Sequence, residues 1–158
     1  MAGETATETT AESDVSIAWR AGIVGGVIGG IVFGAMIQMT MRPILAAAIP
    51  ALWGLSGLGA GWVVHLVDAA IFGLVFAAIV ESTGLGAYAA SRRTGWLVGG
   101  VWGIVLWLLA AGIVMPIWLS AVGFPMAPPL PNLNPQTLPG HVGYGLVLGL
   151  VYPYVRRS

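Results

Sequence analysis

The polar residues that could do chemistry in this sequence lie inside two similar apolar stretches. His65 and Asp68 are three residues apart in GWVVHLVDAAIFGLVF, and His141 and Tyr144 have the same spacing in PGHVGYGLVLGLVYP. Residues at this spacing lie on neighbouring faces of one helix. Ionisable groups inside membrane helices usually face a cavity or a partner, because exposing them to lipid is costly. The pattern predicts a polar site for a small ligand, an ion or a proton.

Further polar and sulfur-containing residues end the first apolar stretch, in the sequence MIQMTMR. Gln38 and Arg42 supply an amide and a guanidinium there, although an arginine at this position can equally extend to lipid headgroups. Met39 and Met41 offer soft sulfur ligands, although methionine is also an ordinary filler of cores. The predicted ligand or proton contacts are His65, Asp68, His141, Tyr144, Gln38 and Arg42.

Three kinds of function are open to these residues. We favour a non-catalytic bundle that binds a small ligand, an ion or a partner subunit in an accessory or transport-related role. The alternative is a cofactor protein in which His65 and His141 ligate one haem iron, or in which the histidines with Met39 and Met41 hold copper. The sequence requires neither cofactor. An enzyme that uses His65 and Asp68 as a proton-transfer pair ranks last, and we assign no catalytic residue.

The composition is that of an integral membrane protein. Of 158 residues, 58% are apolar and 8% are charged, whereas about 25% of residues in soluble domains are charged. Runs of about 20 apolar residues cross a bilayer as helices. We therefore predict an all-α polytopic protein with four transmembrane helices, near residues 21–41, 61–80, 95–119 and 140–155.

Several classes of partner are excluded by the same sequence. There is no cysteine, which excludes disulfides and thiolate metal sites. GGVIGG lacks the lysine and hydroxyl residue that end a phosphate-binding loop, and it lies inside a predicted helix. The six arginines are too scattered to follow a phosphate backbone. We expect neither a nucleotide nor a nucleic acid as partner.

The charged residues predict the orientation. Residues 1–16 hold four of the six acidic residues and are expected to form a disordered tail, ahead of a transmembrane domain at 17–158. Cytoplasmic loops carry an excess of basic residues. Only Arg42 lies on the side opposite the termini, so both termini are predicted to be cytoplasmic; the basic residues on their side are Arg20, Arg92, Arg93, Arg156 and Arg157.

The two halves of the domain, about 17–85 and 92–158, resemble each other. At a constant offset, the aligned pairs are His65 with His141, Asp68 with Tyr144, Gly73 with Gly149 and Phe76 with Tyr152. Each half contains two predicted helices, so the copies share one orientation. We predict a direct repeat with a pseudo-two-fold axis along the membrane normal.

Glycines recur at every fourth residue in the predicted helices, although each costs about 1 kcal/mol relative to alanine in a helix interior. Small residues at this spacing let two helix backbones approach in lipid, so we predict glycine-zipper packing. Whether the faces pair within one chain or between protomers stays open, which leaves a homo-oligomer or a partner membrane subunit as expected partners besides the lipid bilayer. The packing residues are Gly22, Gly26, Gly30, Gly34, Gly95, Gly99, Gly103, Gly73, Gly145 and Gly149.

The two outer connections differ in composition. Residues 120–139 contain six prolines and no charge, which predicts a stiff, extended lid that leads to His141. Residues 42–60 are apolar, and we expect them to lie on or dip into the membrane interface.

The motifs GWVVHLVDAAIFGLVFA and LPGHVGYGLVLGLVYPYV, after a glycine-rich helix that ends in MTM, resemble a family of small four-helix archaeal membrane proteins common in haloarchaea. The resemblance covers about residues 22–157. Members are sometimes labelled histidine kinases, but this chain has no room for a kinase domain. The resemblance implies a four-helix membrane fold and no particular activity.

Overall fold

A computed structural model describes residues 2–157, with side chains from Val15 onward. Every regular element in that part of the chain is helical. Helix α1 spans Ala2–Thr40, and α2 joins a π-helical turn, Ile44–Ala48, to the short α-helix Ile49–Ala51. Helices α3 and α4 span Leu58–Ser82 and Gly86–Ala89. Helix α5 runs from Gly95–Leu106 through the π-helical stretch Trp107–Val114 into Met115–Ala121, and α6 spans Leu138–Val155.

Three helical segments among the described residues are long and apolar enough to cross a membrane: Val15–Thr40, Leu58–Ser82 and Gly95–Ala121. Helix α6 is shorter, with 18 residues, and contains Pro153 close to its end. The predicted all-helical class is confirmed, and the three apolar helices indicate a membrane protein.

The first helix continues further back than the predicted span. Its backbone is helical from Ala2, through the acidic segment predicted to be a disordered tail. Extending a formed helix adds a hydrogen bond per residue without a new nucleation cost, which is why a polar segment can continue an apolar helix. The side chains of residues 1–14 lie outside the described residues.

The long helices pack in the order α3, α1, α6, α5. Helix α1 contacts both α3 and α6, and α6 contacts α5 on its other side. The outermost helices, α3 and α5, approach each other through large side chains, since the ring centroids of Phe76 and Trp102 are 6.3 Å apart. Phe76 also meets Tyr152 of α6 edge to face at 5.4 Å, so aromatic rings fill the space between the outer helices.

Glycines bring the backbones of α1 and α3 into contact. A Cβ atom added to Gly26 would lie 2.5 Å from the carbonyl oxygen of Ala69 and 3.1 Å from the Cα atom of Gly73. One added to Gly22 would meet the Gly73 carbonyl. No side chain fits between the two helices at these positions.

The backbones of α5 and α6 are in contact in the same way. A Cβ atom on Gly99 would lie 2.8 Å from the Cα atom of Gly149 and would overlap the carbonyl oxygen of Gly145. A Cβ atom on Gly95 would lie 2.6 Å from the Gly149 carbonyl oxygen. Van der Waals contact between backbones therefore holds both helix pairs.

A proline explains the π-helical stretch in α5. Pro116 has no N–H to donate to Gly112, four residues earlier, and its ring would collide with that carbonyl in a regular α-helix. The helix widens instead, so that the N–H of Met115 bonds to the carbonyl of Ala110. The freed carbonyl of Gly112 accepts a 2.9 Å hydrogen bond from the N–H of Asn132 in the following connection.

A proline also explains the π-helical turn in α2. Pro50 cannot donate to Ala46, and the preceding turn is π-helical, with the N–H of Ile49 bonded to the carbonyl of Ile44. The Ala46 carbonyl accepts a 3.0 Å bond from the N–H of Gly57. The segment is in direct contact with α3, because a Cβ atom on Gly61 of α3 would overlap the carbonyl of Leu45. The connections that follow these two segments are thus each bonded to a carbonyl that a proline has released.

Replacing Gly99 by alanine tests the backbone contact. The methyl group meets backbone atoms of α6 that cannot rotate away, so we expect a loss of about 1–3 kcal/mol in stability from overpacking, despite the higher helix propensity of alanine. The control is Gly143→Ala, because its methyl group would meet only the Met36 sulfur at 3.8 Å. Thermal unfolding in detergent should show a lower midpoint for Gly99→Ala alone. Equal midpoints for the two variants would contradict the packing argument.

Candidate functional site

His65 lies inside the helix pair formed by α1 and α3. Its side chain is 8% exposed, and its Nε2 atom is 2.9 Å from the carbonyl oxygen of Gly30 on α1. A Cβ atom on Gly34 would lie 3.0 Å from the imidazole, so the ring occupies space that glycines on α1 leave free.

His141 lies in the first turn of α6. Its Nδ1 atom is 2.8 Å from the carbonyl oxygen of Thr137 at the start of the same helix. The side chain is half-buried. Both histidines are therefore held by a backbone carbonyl through one ring nitrogen, although His65 uses a neighbouring helix and His141 its own.

One phenyl ring joins the two histidines. The ring of Phe33 meets His141 edge to face at 4.7 Å between centroids and His65 at 5.4 Å. Phe33 is 9% exposed, and a Cβ atom on Gly140 would collide with it. Helices α3 and α6 thus present their histidines to the same side chain of α1.

The carbonyl partners determine which nitrogen of each neutral ring carries the proton. A carbonyl only accepts hydrogen bonds, so Nε2 of His65 and Nδ1 of His141 must be the donors. In the neutral rings, Nδ1 of His65 and Nε2 of His141 then keep a free lone pair. No described side chain or backbone group donates a hydrogen bond to either atom. Each of these nitrogens can therefore accept a hydrogen bond from a ligand.

Two of the other predicted residues are engaged in bonds between helices. Tyr144 is 3% exposed, and its hydroxyl donates a 2.7 Å bond to the carbonyl of Ala69, which connects α6 to α3. Gln38 accepts a 2.7 Å bond from the indole N–H of Trp62, which connects α1 to α3. Both side chains support the helices around the histidines.

The structure does not bring the remaining predicted residues to the histidine pair. The carboxyl group of Asp68 lies close to the indole of Trp53. Arg42 is exposed, Met39 is 78% exposed, and Met41 packs against the core. Asp68 therefore faces the α2 connection, and Met39 is open to the surroundings.

The proline-rich connection reaches His141 through hydrogen bonds. The indole N–H of Trp107 in the π-helical part of α5 donates 3.1 Å bonds to the Asn134 carbonyl and the Thr137 hydroxyl. The carbonyl of Thr137 is the acceptor for His141. Together with the bond from Asn132 to Gly112, these contacts fix the connection on α5 and position the histidine.

The site does not fit a haem held by both histidines. Bis-histidine ligation needs a lone pair of each ring on opposite sides of one iron, but Phe33 contacts both rings and the Nε2 atom of His65 is bonded to Gly30. A Cβ atom on Gly29 would lie 2.8 Å from the Tyr144 carbonyl oxygen, so α1 and α6 leave no slot for a porphyrin. For copper, no cluster of three or more His, Cys, Asp or Glu side chains occurs among the described residues.

A second polar cluster, at the other end of α3 and α6, was not predicted from the sequence. The hydroxyl of Tyr152 donates a 2.9 Å bond to Glu81, and Arg156 lies 3.4 Å from the same carboxylate oxygen. Tyr152 is 0% exposed. The signal in the sequence was Glu81 itself, an acidic residue at the end of an apolar stretch that needs a buried or basic partner.

Comparison with known proteins leaves the chain without an assigned family: no family model, curated protein or solved structure matches it. Interpretation of the site therefore depends on its geometry.

The histidine tautomers provide a direct test of that geometry. At alkaline pH, where both rings are neutral, we expect a proton on Nε2 of His65 and on Nδ1 of His141. Long-range ¹H–¹⁵N spectra of histidine-labelled protein should show one ring of each type, assigned with His65→Gln and His141→Gln. Two rings of the same tautomer would show that one of the carbonyl bonds is absent.

Proposed function

We propose that the chain forms a four-span membrane bundle with both termini in the cytoplasm, built from two direct copies of a helix pair with glycine-zipper packing. The 18 residues of α6 are within the range that spans a bilayer, which supports it as the fourth span. Five of the six arginines lie on the side of the termini, which supports the orientation.

Equivalent contacts support the repeat. Gly26 packs against Ala69 and Gly73 in the first pair, and Gly99 packs against Gly145 and Gly149 in the second. At the constant offset of the aligned halves, Ala69 matches Gly145 and Gly73 matches Gly149. The two-fold symmetry does not extend to the whole bundle, because α1 and α6 pack closely, whereas α3 and α5 are separated by aromatic rings. This architecture is consistent with the resemblance of the sequence to a family of small four-helix archaeal membrane proteins.

The function we propose is non-catalytic binding of a small ligand or ion in the outer half of the bundle, in an accessory or transport-related role. The observation that carries it is the pair of imidazoles on Phe33, each with one nitrogen bonded to a carbonyl and the other without a donor. The nitrogen without a donor carries a lone pair on each ring, and that lone pair can accept a hydrogen bond. A ligand that donates hydrogen bonds, or a cation that imidazole coordinates, would satisfy both.

The fixed connection over His141 supports binding rather than turnover. Trp107, Thr137 and Asn132 hold this connection by hydrogen bonds, and Asp68 lies beside Trp53. A partner subunit, or a second copy of the chain, would meet the apolar outer faces of the helices.

Cysteine labelling tests the topology. In the four-span arrangement, Ser91 lies in the cytoplasmic connection and Asn132 in the outer one. With no native cysteine, a membrane-impermeant maleimide applied to intact cells should label Asn132→Cys and spare Ser91→Cys, and both should react in permeabilised cells. Labelling of Ser91→Cys in intact cells would show that this connection lies outside the cytoplasm and would contradict the proposed orientation.

Zinc chloride is a suitable probe for the shared histidine site, because imidazole binds Zn²⁺ whereas Mg²⁺ prefers oxygen ligands. The chain has only two histidines and no cysteine, so tag-free protein reports on this pair. We expect zinc, but not magnesium, to raise the unfolding midpoint in detergent. His65→Gln or His141→Gln should each weaken zinc binding at least about ten-fold, because even loss of a group that only hydrogen-bonds to a metal ligand weakens binding by that much.

The double variant distinguishes a shared site from two separate ones. If both imidazoles bind one ion, the double variant His65→Gln with His141→Gln should lose little more zinc affinity than either single variant loses. Additive losses would mean independent sites, and an absence of zinc stabilisation in the wild type would overturn the binding proposal.

A further inference from the structure

The connection between α3 and α5 is a structured loop that presents two arginines. The Thr94 hydroxyl donates a 2.7 Å bond to the Tyr88 carbonyl, and the Trp96 indole donates a 3.0 Å bond to the Arg93 carbonyl. The N–H of Gly95 bonds to the Ser91 carbonyl at 2.8 Å. Arg92 and Arg93 are exposed on this scaffold.

Arg92 is positioned by the end of α6. The carbon atom of its guanidinium group lies 4.3 Å from the ring centroid of Tyr154, which is a cation–π distance. This contact with the ring restricts the position of the guanidinium, whose N–H groups can bind a bidentate acceptor.

The positive charge of this surface is not compensated by the described side chains. Asp68 and Glu81 are the two acidic residues in that part of the chain. Asp68 lies beside Trp53, and Glu81 is occupied by Tyr152 and Arg156. No carboxylate among them is within salt-bridge distance of Arg92 or Arg93.

Exposed aromatic side chains surround the two arginines. Tyr88 is 58% exposed, Tyr154 56% and Trp96 41%. Such residues are enriched at the boundary between hydrocarbon and water, and all three belong to the ends of apolar helices or to the loop itself. The arginines therefore lie at headgroup level in any bilayer that the helices cross.

We propose that Arg92 and Arg93, with the guanidinium of Arg92 stacked on Tyr154, form a binding site for the headgroup phosphate of an anionic phospholipid. Arginine N–H groups match phosphate oxygens in a bidentate manner, and the aromatic side chains contact the glycerol and upper acyl region. The proposal does not depend on the histidine site or on which face of the membrane is cytoplasmic.

Native mass spectrometry of the full chain tests this site. The protein in neutral detergent is mixed with equal concentrations of phosphatidylglycerol and phosphatidylcholine. The wild type should selectively retain phosphatidylglycerol, the anionic lipid. Arg92→Gln with Arg93→Gln should weaken retention about thirty-fold, from the usual contribution of a basic residue near an anionic surface. Tyr154→Leu, which keeps both charges, should weaken it about three-fold.

The matched control is Arg42→Gln, which removes an exposed arginine at the opposite end of the helices and should weaken retention far less than the double variant does. Equal retention of the two lipids by the wild type would overturn the proposal, as would an equal loss in the Arg42→Gln control. Unfolding midpoints distinguish loss of binding from loss of fold. Excess inorganic phosphate should not displace the lipid; if it does, a soluble phosphate rather than a lipid is the ligand and the assignment fails.

Discussion

Contact between glycine backbones is the constraint on which the rest of the structure depends. Because Gly26 and Gly73 have no side chains, α1 and α3 approach until an added methyl group would overlap backbone atoms. Only at that separation does the imidazole of His65 reach the carbonyl of Gly30. Lipid offers little hydrophobic drive for helix association, so the same contacts stabilise the bundle and determine which polar atoms can meet.

The two ends of the bundle use polar residues differently. At the histidine end, imidazoles are bonded to carbonyls and retain nitrogen lone pairs. At the other end, the Glu81 carboxylate is occupied by the Tyr152 hydroxyl and Arg156. A carboxylate with two partners contributes to cohesion between α3 and α6, whereas a nitrogen lone pair can accept a bond from a further group. The asymmetry is why we place the candidate site at the histidine end.

Composition and periodicity predicted the helical membrane class, because apolar length and glycine spacing are local properties of the sequence. The role of Phe33 could not be predicted, since an aromatic residue in an apolar helix has the same pattern whether it contacts lipid, core or a histidine. Asp68 was expected beside His65, but its partner Trp53 belongs to a segment whose path depends on α2 packing against Gly61. The packing order of the helices likewise depends on tertiary contacts that no window of sequence contains.

The carbonyls released by Pro116 and Pro50 have a consequence for how the protein is made. The Gly112 carbonyl accepts its bond from Asn132, and the Ala46 carbonyl from Gly57; each donor is synthesised after the helical segment it completes. A backbone carbonyl left in hydrocarbon without a donor costs several kcal/mol. Each of these segments therefore completes its hydrogen bonds only when the chain beyond it has folded back. Formation of the two segments and folding of the connections that follow them are coupled steps, ordered by the direction of translation.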